Sequence, residues 1–375
     1  HFNNRARKMK ILFCTNAFEV VSKGPAKFAH LLLRLQDVYP DYEVRVLTED
    51  VQKPIAGKVY KQNLNIPSVL KPAGMFLRMF QYHTAAMHIR KNGYPFDILI
   101  YNNAIIGLWS GIWFKNTIGF INDDNNASAN FKAGFLKFKW NKAHVFFITE
   151  WLASKTCRKI VANSNYLYNY LKVKYAIAPR KINYLYKAIE IAPFLSPRNN
   201  TEPVILFVKN DYQRGGLFIL AEALKNLNRP LTFIVAGTPH YVADQLLEKL
   251  KGSDVHLQFE GIVPQEKIYE LMKSADIFCV PSFKEALGVA NLEAMALGCS
   301  IVTSNTGGIP EVMDNGKNGW MVEPGNITDL AGAIHEALTF TNLAAEKRLA
   351  ALTYVKQFNL QALFSNFVTK IIRFE

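Results

Sequence analysis

Cysteine is scarce in this sequence: four residues (Cys14, Cys157, Cys279, Cys299) are scattered through 375, with no C-x-x-C pair. That spacing excludes a disulfide framework and a zinc ribbon, and the expectation is four core thiols in a reducing compartment. Histidine is almost as sparse, at eight residues, and no His/Cys group has metal-ligand spacing. No apolar run reaches the roughly 18 residues of a membrane-spanning helix, and no signal peptide is read at the start. There is no G-x-G-x-x-G, so the dinucleotide fingerprint is absent. Low-complexity tracts are missing too. Residues 1–8 precede Met9-Lys10-Ile11-Leu12 and are expected to be an addition before the natural start.

What is there is a large apolar content and an uneven charge. Half of the residues are hydrophobic, enough for a core in each of two domains, which the length favours. The net charge is +14, but residues 1–195 hold 28 Lys/Arg against 11 Asp/Glu, whereas residues 196–375 hold 16 against 19. The first half is strongly basic and the second nearly neutral, which points to a polyanion facing the first domain.

The chain is organised around residues 276–319. Ile277-Phe278-Cys279-Val280 is an apolar run closed by Pro281, as in a buried parallel strand. Residues 289–297 carry Leu292, Met295 and Ala296 at helical spacing, with Gly298 as the stop. Ser300-Ile301-Val302-Thr303 is a second buried strand, followed by the turn Thr306-Gly307-Gly308 and a short helix. Glu285 sits in the first loop and Glu293 eight residues on, in the helix. Eight helical residues rise about 12 Å, so both carboxylates can face one ligand of nucleotide-sugar size. Between them Gly288, Val289, Ala290 and Asn291 offer backbone amides at a helix N-terminus, where unpaired N–H groups and the helix dipole suit an anion such as a diphosphate. A surface helix with two solvated acids is the competing reading.

The E-x7-E spacing, the F-x-E-A-x-G core, the L-E-A-M-A-x-G helix and the G-G-I-P-E-V and N-G-x-N-G-x-x-V segments resemble the family 4 retaining glycosyltransferases of the GT-B fold, the glycosyl transferases group 1. The resemblance runs from about residue 203 to about 338 and is looser before that. It implies an α/β protein with two Rossmann-like domains facing a central cleft. Residues 9–193 would bind the acceptor, residues 194–355 the nucleotide sugar, and a C-terminal helix at about 356–375 would cross back to the first domain.

The resemblance also implies roles. Glu293 accepts the ribose hydroxyls, and Glu285 accepts donor-sugar hydroxyls and orients the sugar. Arg214, just before Gly215-Gly216, grips the diphosphate together with the amides of Gly288 to Asn291, and Lys209 is the second cation. A solvated loop charge is the competing reading of Arg214. Ile262 borders the nucleobase. In the first domain, the loop carrying Gly24 approaches the donor phosphate or the acceptor, although a plain turn glycine fits equally well. Asn102 and Asn103 end one strand, Asn122 and Asp123 another, at the carboxyl edge where open α/β sheets bind ligands. Many relatives have His-Asp where this chain has Asn122-Asp123, so the imidazole has no counterpart. An Asn/Asp-rich turn is the alternative there. Catalysis would fall to Glu285, Arg214 and Asp123.

No cofactor and no metal site is expected, the donor being a UDP- or GDP-type sugar. Residues 67–92 read as an amphipathic basic helix. Residues 131–159 interleave seven Lys/Arg with phenylalanines and two tryptophans. Such a mixture suits an anionic membrane interface, or else a core helix with a solvated basic face; no nucleic-acid module accompanies it. The resulting expectation is a cytoplasmic transferase, peripheral on the inner membrane face, acting on a lipid-linked or surface-polysaccharide acceptor. The alternatives are a GT-B-fold sugar-nucleotide epimerase and a non-catalytic nucleotide-sugar-binding protein.

Overall fold

The computed structural model of the chain describes residues 7–19, 24–64, 74–124, 142–191, 193–194 and 200–373. The chain divides into two compact units, one of His1–Tyr186 with Leu363–Glu375 and one of Lys187–Ala362.

The first unit is built on seven parallel strands: β1 (Met9–Thr15), β2 (Tyr42–Thr48), β3 (Val59–Lys61), β4 (Ile98–Tyr101), β5 (Thr117–Ile121), β6 (Lys159–Ala162) and β7 (Ile182–Tyr184). Their order in the sheet is β3-β2-β1-β4-β5-β6-β7. The helices are α1 (Gly24–Leu33), α2 (Leu35–Val38), α3 (Gly74–Lys91), α4 (Leu108–Trp113), α5 (Lys142–Thr156) and α6 (Asn165–Lys174). Central strands covered on both faces must be apolar at successive positions, which is why Ile11 to Thr15 and Ile98 to Tyr101 are buried without alternation. Leu31, Leu32 and Leu35 keep a helical spacing, yet the helix is interrupted at Arg34, whose N–H bonds Leu31 O (3.0 Å). β3 was not foreseen: three residues at a sheet edge carry no readable period. β7 stops at Tyr184; the Leu185 N–H still bonds Ala162 O (2.9 Å), and the chain then leaves the sheet. The C-terminal turns of this unit are held by Lys159, whose Nζ donates to the carbonyls of Lys370 (3.1 Å), Ile371 (3.2 Å) and Arg373 (2.7 Å).

The second unit repeats the plan with β8 (Val204–Val208), β9 (Leu231–Ala236), β10 (Val255–Gly261), β11 (Ile277–Val280), β12 (Ser300–Ser304) and β13 (Trp320–Val322), all parallel, in the order β10-β9-β8-β11-β12-β13. Its helices are α7 (Leu217–Lys225), α8 (Ala243–Leu250), α9 (Gln265–Ser274), α10 (Val289–Ala296), α11 (Ile309–Val312), α12 (Ile327–Thr339) and α13 (Thr341–Tyr354). The strand order reverses direction between β1 and β4 in one sheet and between β8 and β11 in the other. Such switch points leave a crevice at the carboxyl ends of the strands. All four cysteines are buried. No helix among the described residues is long and apolar enough to cross a membrane.

Candidate active site

At the switch point of the second unit, the loops after β8 and β11 are laced together. Lys209 follows β8. The segment behind it closes through Gly215 N–H to Asp211 O (2.8 Å) and Leu217 N–H to Tyr212 O (3.1 Å). Arg214 is fixed at both ends. Its N–H donates to Asp211 Oδ1 (3.1 Å), its Nε to Lys284 O (3.0 Å), and its carbonyl accepts from Phe283 N–H (2.9 Å). Lys209 Nζ forms an ion pair with Glu285 Oε2. The other carboxylate oxygen of Glu285 accepts from Ala286 N–H (3.1 Å). Residues read separately from the sequence as donor ligands thus converge on one spot. Both members of the pair are about a fifth exposed (23% and 21%), so the charges are sheltered yet reachable.

The turn after β12 supports that loop from behind. Gly308 N–H donates to Glu285 O (3.1 Å). Gly307 lies at φ +57°, and a Cβ there would sit 1.7 Å from Glu285 O. Only glycine permits so close a backbone approach. The G-G of G-G-I-P-E-V is therefore part of the Glu285 mount, a role the sequence reading did not assign.

Gly288, at φ +88°, opens α10. One expectation is corrected here: Asn291 N–H bonds Gly288 O (3.0 Å) and is not an open donor. The amides of Val289 and Ala290 form no hydrogen bond among the described residues, as the first turn of a helix dictates. Glu293 is only 8% exposed, which removes the solvated-acid reading, and its Oε1 accepts from Tyr269 OH (3.1 Å) on α9. Tyr269 was missed because nothing local ties it to Glu293, 24 residues on. Among the described residues, no group of three or more His, Cys, Asp and Glu could hold a metal ion.

Residues 189–351 match the family model described as glycosyl transferases group 1. That match covers most of the second unit. The D-inositol 3-phosphate glycosyltransferase of Corynebacterium jeikeium (strain K411) is 32% identical over 118 residues, which is 32% of this chain and 28% of that protein. The chain spans about a third of the length of the first curated relatives it matches (28%, 33% and 31%). Sucrose-phosphate synthase from Thermosynechococcus elongatus superimposes with a TM-score of 0.77 at 17% identity, covering 96% of this chain and 98% of that one. Anabaena HepE in complex with UDP and glucose superimposes with a TM-score of 0.71 at 17% identity, covering 98% and 100%. Likeness at that identity shows the fold, which is GT-B: two Rossmann-like units with parallel sheets.

In the second unit, Ile262 follows β10 and is 66% exposed. The remaining candidates lie in the first unit, at the carboxyl edge of its own sheet. They form a ladder of amides across adjacent strands. Asn163 Nδ2 donates to Asn122 O (2.8 Å), Asn122 Nδ2 to Asn102 O (2.8 Å), and Asn102 Nδ2 to Thr15 Oγ1 (3.5 Å). Asn122 is a strut between β4 and β5, and among the described residues its Oδ1 is buried with no partner. Asn102 is 6% exposed. Asn103 is exposed and closes a local turn, its Oδ1 accepting from Ile105 N–H (3.0 Å). Asp123 Oδ1 accepts from Asp124 N–H (2.9 Å). Tyr166 OH points at Asp124 Oδ2 (3.4 Å), and burial, then that carboxylate, raises its pKa. Gly24 is the exposed first residue of α1. The first part of each basic helix reading, residues 67–73 and 131–141, lies outside the described residues.

Proposed function

We propose that the protein is a retaining glycosyltransferase that moves a sugar from a UDP- or GDP-type donor to an acceptor hydroxyl. The observation that carries this is the convergence of Lys209, Arg214 and Glu285 beside the open amides of Val289 and Ala290. Cations and a helix N-terminus suit a diphosphate, and two carboxylates eight residues apart suit the hydroxyls at either end of it. Bound UDP in Anabaena HepE and the sugar-transfer names of the relatives favour the same donor class.

In the proposed reaction the acceptor oxygen bonds to the anomeric carbon as the bond from that carbon to the diphosphate breaks on the same face. The acceptor proton passes to the departing phosphate oxygen, and the nucleoside diphosphate leaves. Negative charge grows on the phosphate, so fixed donors there lower the barrier most. Arg214 is restrained at its backbone and at Nε, and its planar guanidinium suits phosphate oxygens. Lys209 adds positive charge and holds Glu285, whose carboxylate orients the sugar. Glu293, held by Tyr269, receives the ribose hydroxyls. With these groups meeting the diphosphate charge, transfer proceeds without a divalent ion. Asp123 positions the acceptor.

The acceptor is proposed to be a lipid-linked or surface-polysaccharide precursor met at an anionic membrane face. The first unit supports this with Trp113 (73% exposed) and Ile112 (51%) on α4, beside Phe146 (42%) on α5, which packs against α4. Exposed aromatic and aliphatic side chains in the strongly basic half of the sequence suit an interface of anionic lipid. Flotation with anionic vesicles that persists with neutral ones would remove the charge argument.

The deciding experiment is a thermal-shift panel of UDP, GDP, ADP and CMP and their common sugars, with and without EDTA. Stabilisation by one nucleoside diphosphate, insensitive to EDTA and lost in Glu293→Ala, is expected. No shift from any nucleotide would overturn the reading.

A further inference from the structure

We propose that the second unit holds a separate anion site, at the amino edge of its sheet, for a small phosphorylated polyol. The edge is defined by Pro203 just before β8 and by Ile277 and Ser300, the first residues of β11 and β12. A cavity of about 290 Å³ opens there, bounded on the far side by the end of α12 and the start of α13. β8 has five residues, so its length alone, about 16 Å, separates this cavity from Lys209.

The lining has the chemistry of a phosphate ester site. Arg229, in the bend between α7 and β9, and Arg348, on α13, both line it and both are half-buried. Arg229 makes no hydrogen bond or ion pair among the described residues. One carboxylate, Asp276, shares the cavity. Its Oδ2 already accepts from Asn200 Nδ2 (2.9 Å) and Val204 N–H (2.8 Å), neutral donors that hold it to the strand edge. Among the described lining residues two guanidinium groups stand with one anchored carboxylate, and the planar fork of arginine matches phosphate oxygens.

The rest of the lining narrows the ligand. Thr201, Ser300 and Thr341 contribute hydroxyls suited to those of a polyol. Among the described residues no aromatic side chain lines the cavity, so a nucleobase would find none of them to stack on. The volume is at the lower end of small-molecule sites, which fits a sugar monophosphate or glycerol phosphate and not a nucleotide sugar.

The test is calorimetric titration of the full chain with glycerol 3-phosphate, glucose 6-phosphate, inorganic phosphate and glucose, UDP binding being measured separately. Saturable binding of a phosphorylated polyol is expected, at least tenfold tighter than inorganic phosphate, with none for glucose. Arg229→Ala is expected to weaken it tenfold or more and the Arg229→Ala/Arg348→Ala pair to abolish it, with UDP binding unchanged. If the double variant fails to fold, Arg229→Glu alone carries the same expectation. No saturable binding, binding of inorganic phosphate as tight as that of the esters, or undiminished binding in the variants would overturn the site. UDP binding is read independently, so its failure would count against the transferase proposal alone.

Discussion

Replacing Gly307 by alanine tests the mount of Glu285 directly. Two costs arise. A residue with a Cβ at φ +57° takes on left-handed strain of roughly 1 to 2 kcal/mol. The new Cβ would also lie 1.7 Å from Glu285 O, whereas carbon and oxygen tolerate about 3.3 Å. The two segments must separate by about 1.6 Å to restore that contact. The movement breaks the Gly308 N–H bond to the same carbonyl (3.1 Å) and carries Glu285 away from Lys209. A misplacement of about 1 Å near reacting groups costs about 10²-fold in rate, equivalent to about 2.7 kcal/mol of barrier. The expectation is a fall in kcat/KM of about 10²-fold, assayed as nucleoside diphosphate release from the donor identified by thermal shift. A stability loss of about 3 kcal/mol, read from urea unfolding, should accompany it. Gly252 provides the control: its φ is +75°, yet nothing lies within 4 Å of a Cβ there. Gly252→Ala should lose about 1 kcal/mol of stability and no activity. Wild-type kcat/KM in Gly307→Ala, or an equal loss in Gly252→Ala, would refute the argument.

Four further outcomes are expected. Glu293→Ala should weaken nucleoside diphosphate binding about 10²-fold, and Tyr269→Phe only about three- to tenfold, since the phenol merely holds the carboxylate; equal effects in calorimetry would contradict that division. Lys209→Met should weaken binding by about tenfold, the measure of one charge-assisted contact, and unchanged affinity would mean the lysine serves Glu285 alone. Lys159→Met should remove the ammonium donor shared by the carbonyls of Lys370, Ile371 and Arg373, leaving Lys370 O to Asn183 Nδ2 (3.2 Å) and lowering local stability by about 2 kcal/mol; hydrogen exchange over 363–373 should quicken while that of β8 does not. The native protein should give no rapid thiol reaction with a disulfide reagent at pH 8 and four equivalents when unfolded, because burial pushes the Cys157 thiol up to about 12 and raises Cys14 and Cys279 as well. A thiol with its pKa about four units above the pH is thiolate in only about one molecule in 10⁴.

Much of this was legible along the chain. β8, β9 and β11 have the bounds their apolar runs predict, because a strand buried on both faces admits few polar residues. Gly288 and Glu293 were readable together because the helix that Gly288 opens fixes their spacing, while Glu285 stands in the loop just before it. The edge strand β3 was not readable, being too short for any period, and neither was the break at Arg34, where side-chain pattern continues through a change of backbone direction.

The sequence by itself determined the long buried strands, the helix that carries Glu293, the glycines of the turns and the basic character of the first half. Those depend on neighbours a few residues apart. It left open what Lys209, Tyr269, Gly307 and the asparagines at the strand ends would touch. Lys209 reaches Glu285 across 76 residues because β8 and β11 lie side by side at the point where the strand order reverses. Asn163, Asn122 and Asn102 form one ladder because β6, β5 and β4 are neighbours. Those meetings are products of strand order, set by crossover packing over the whole sheet, and a local stretch of chain carries no record of which loop will stand beside it.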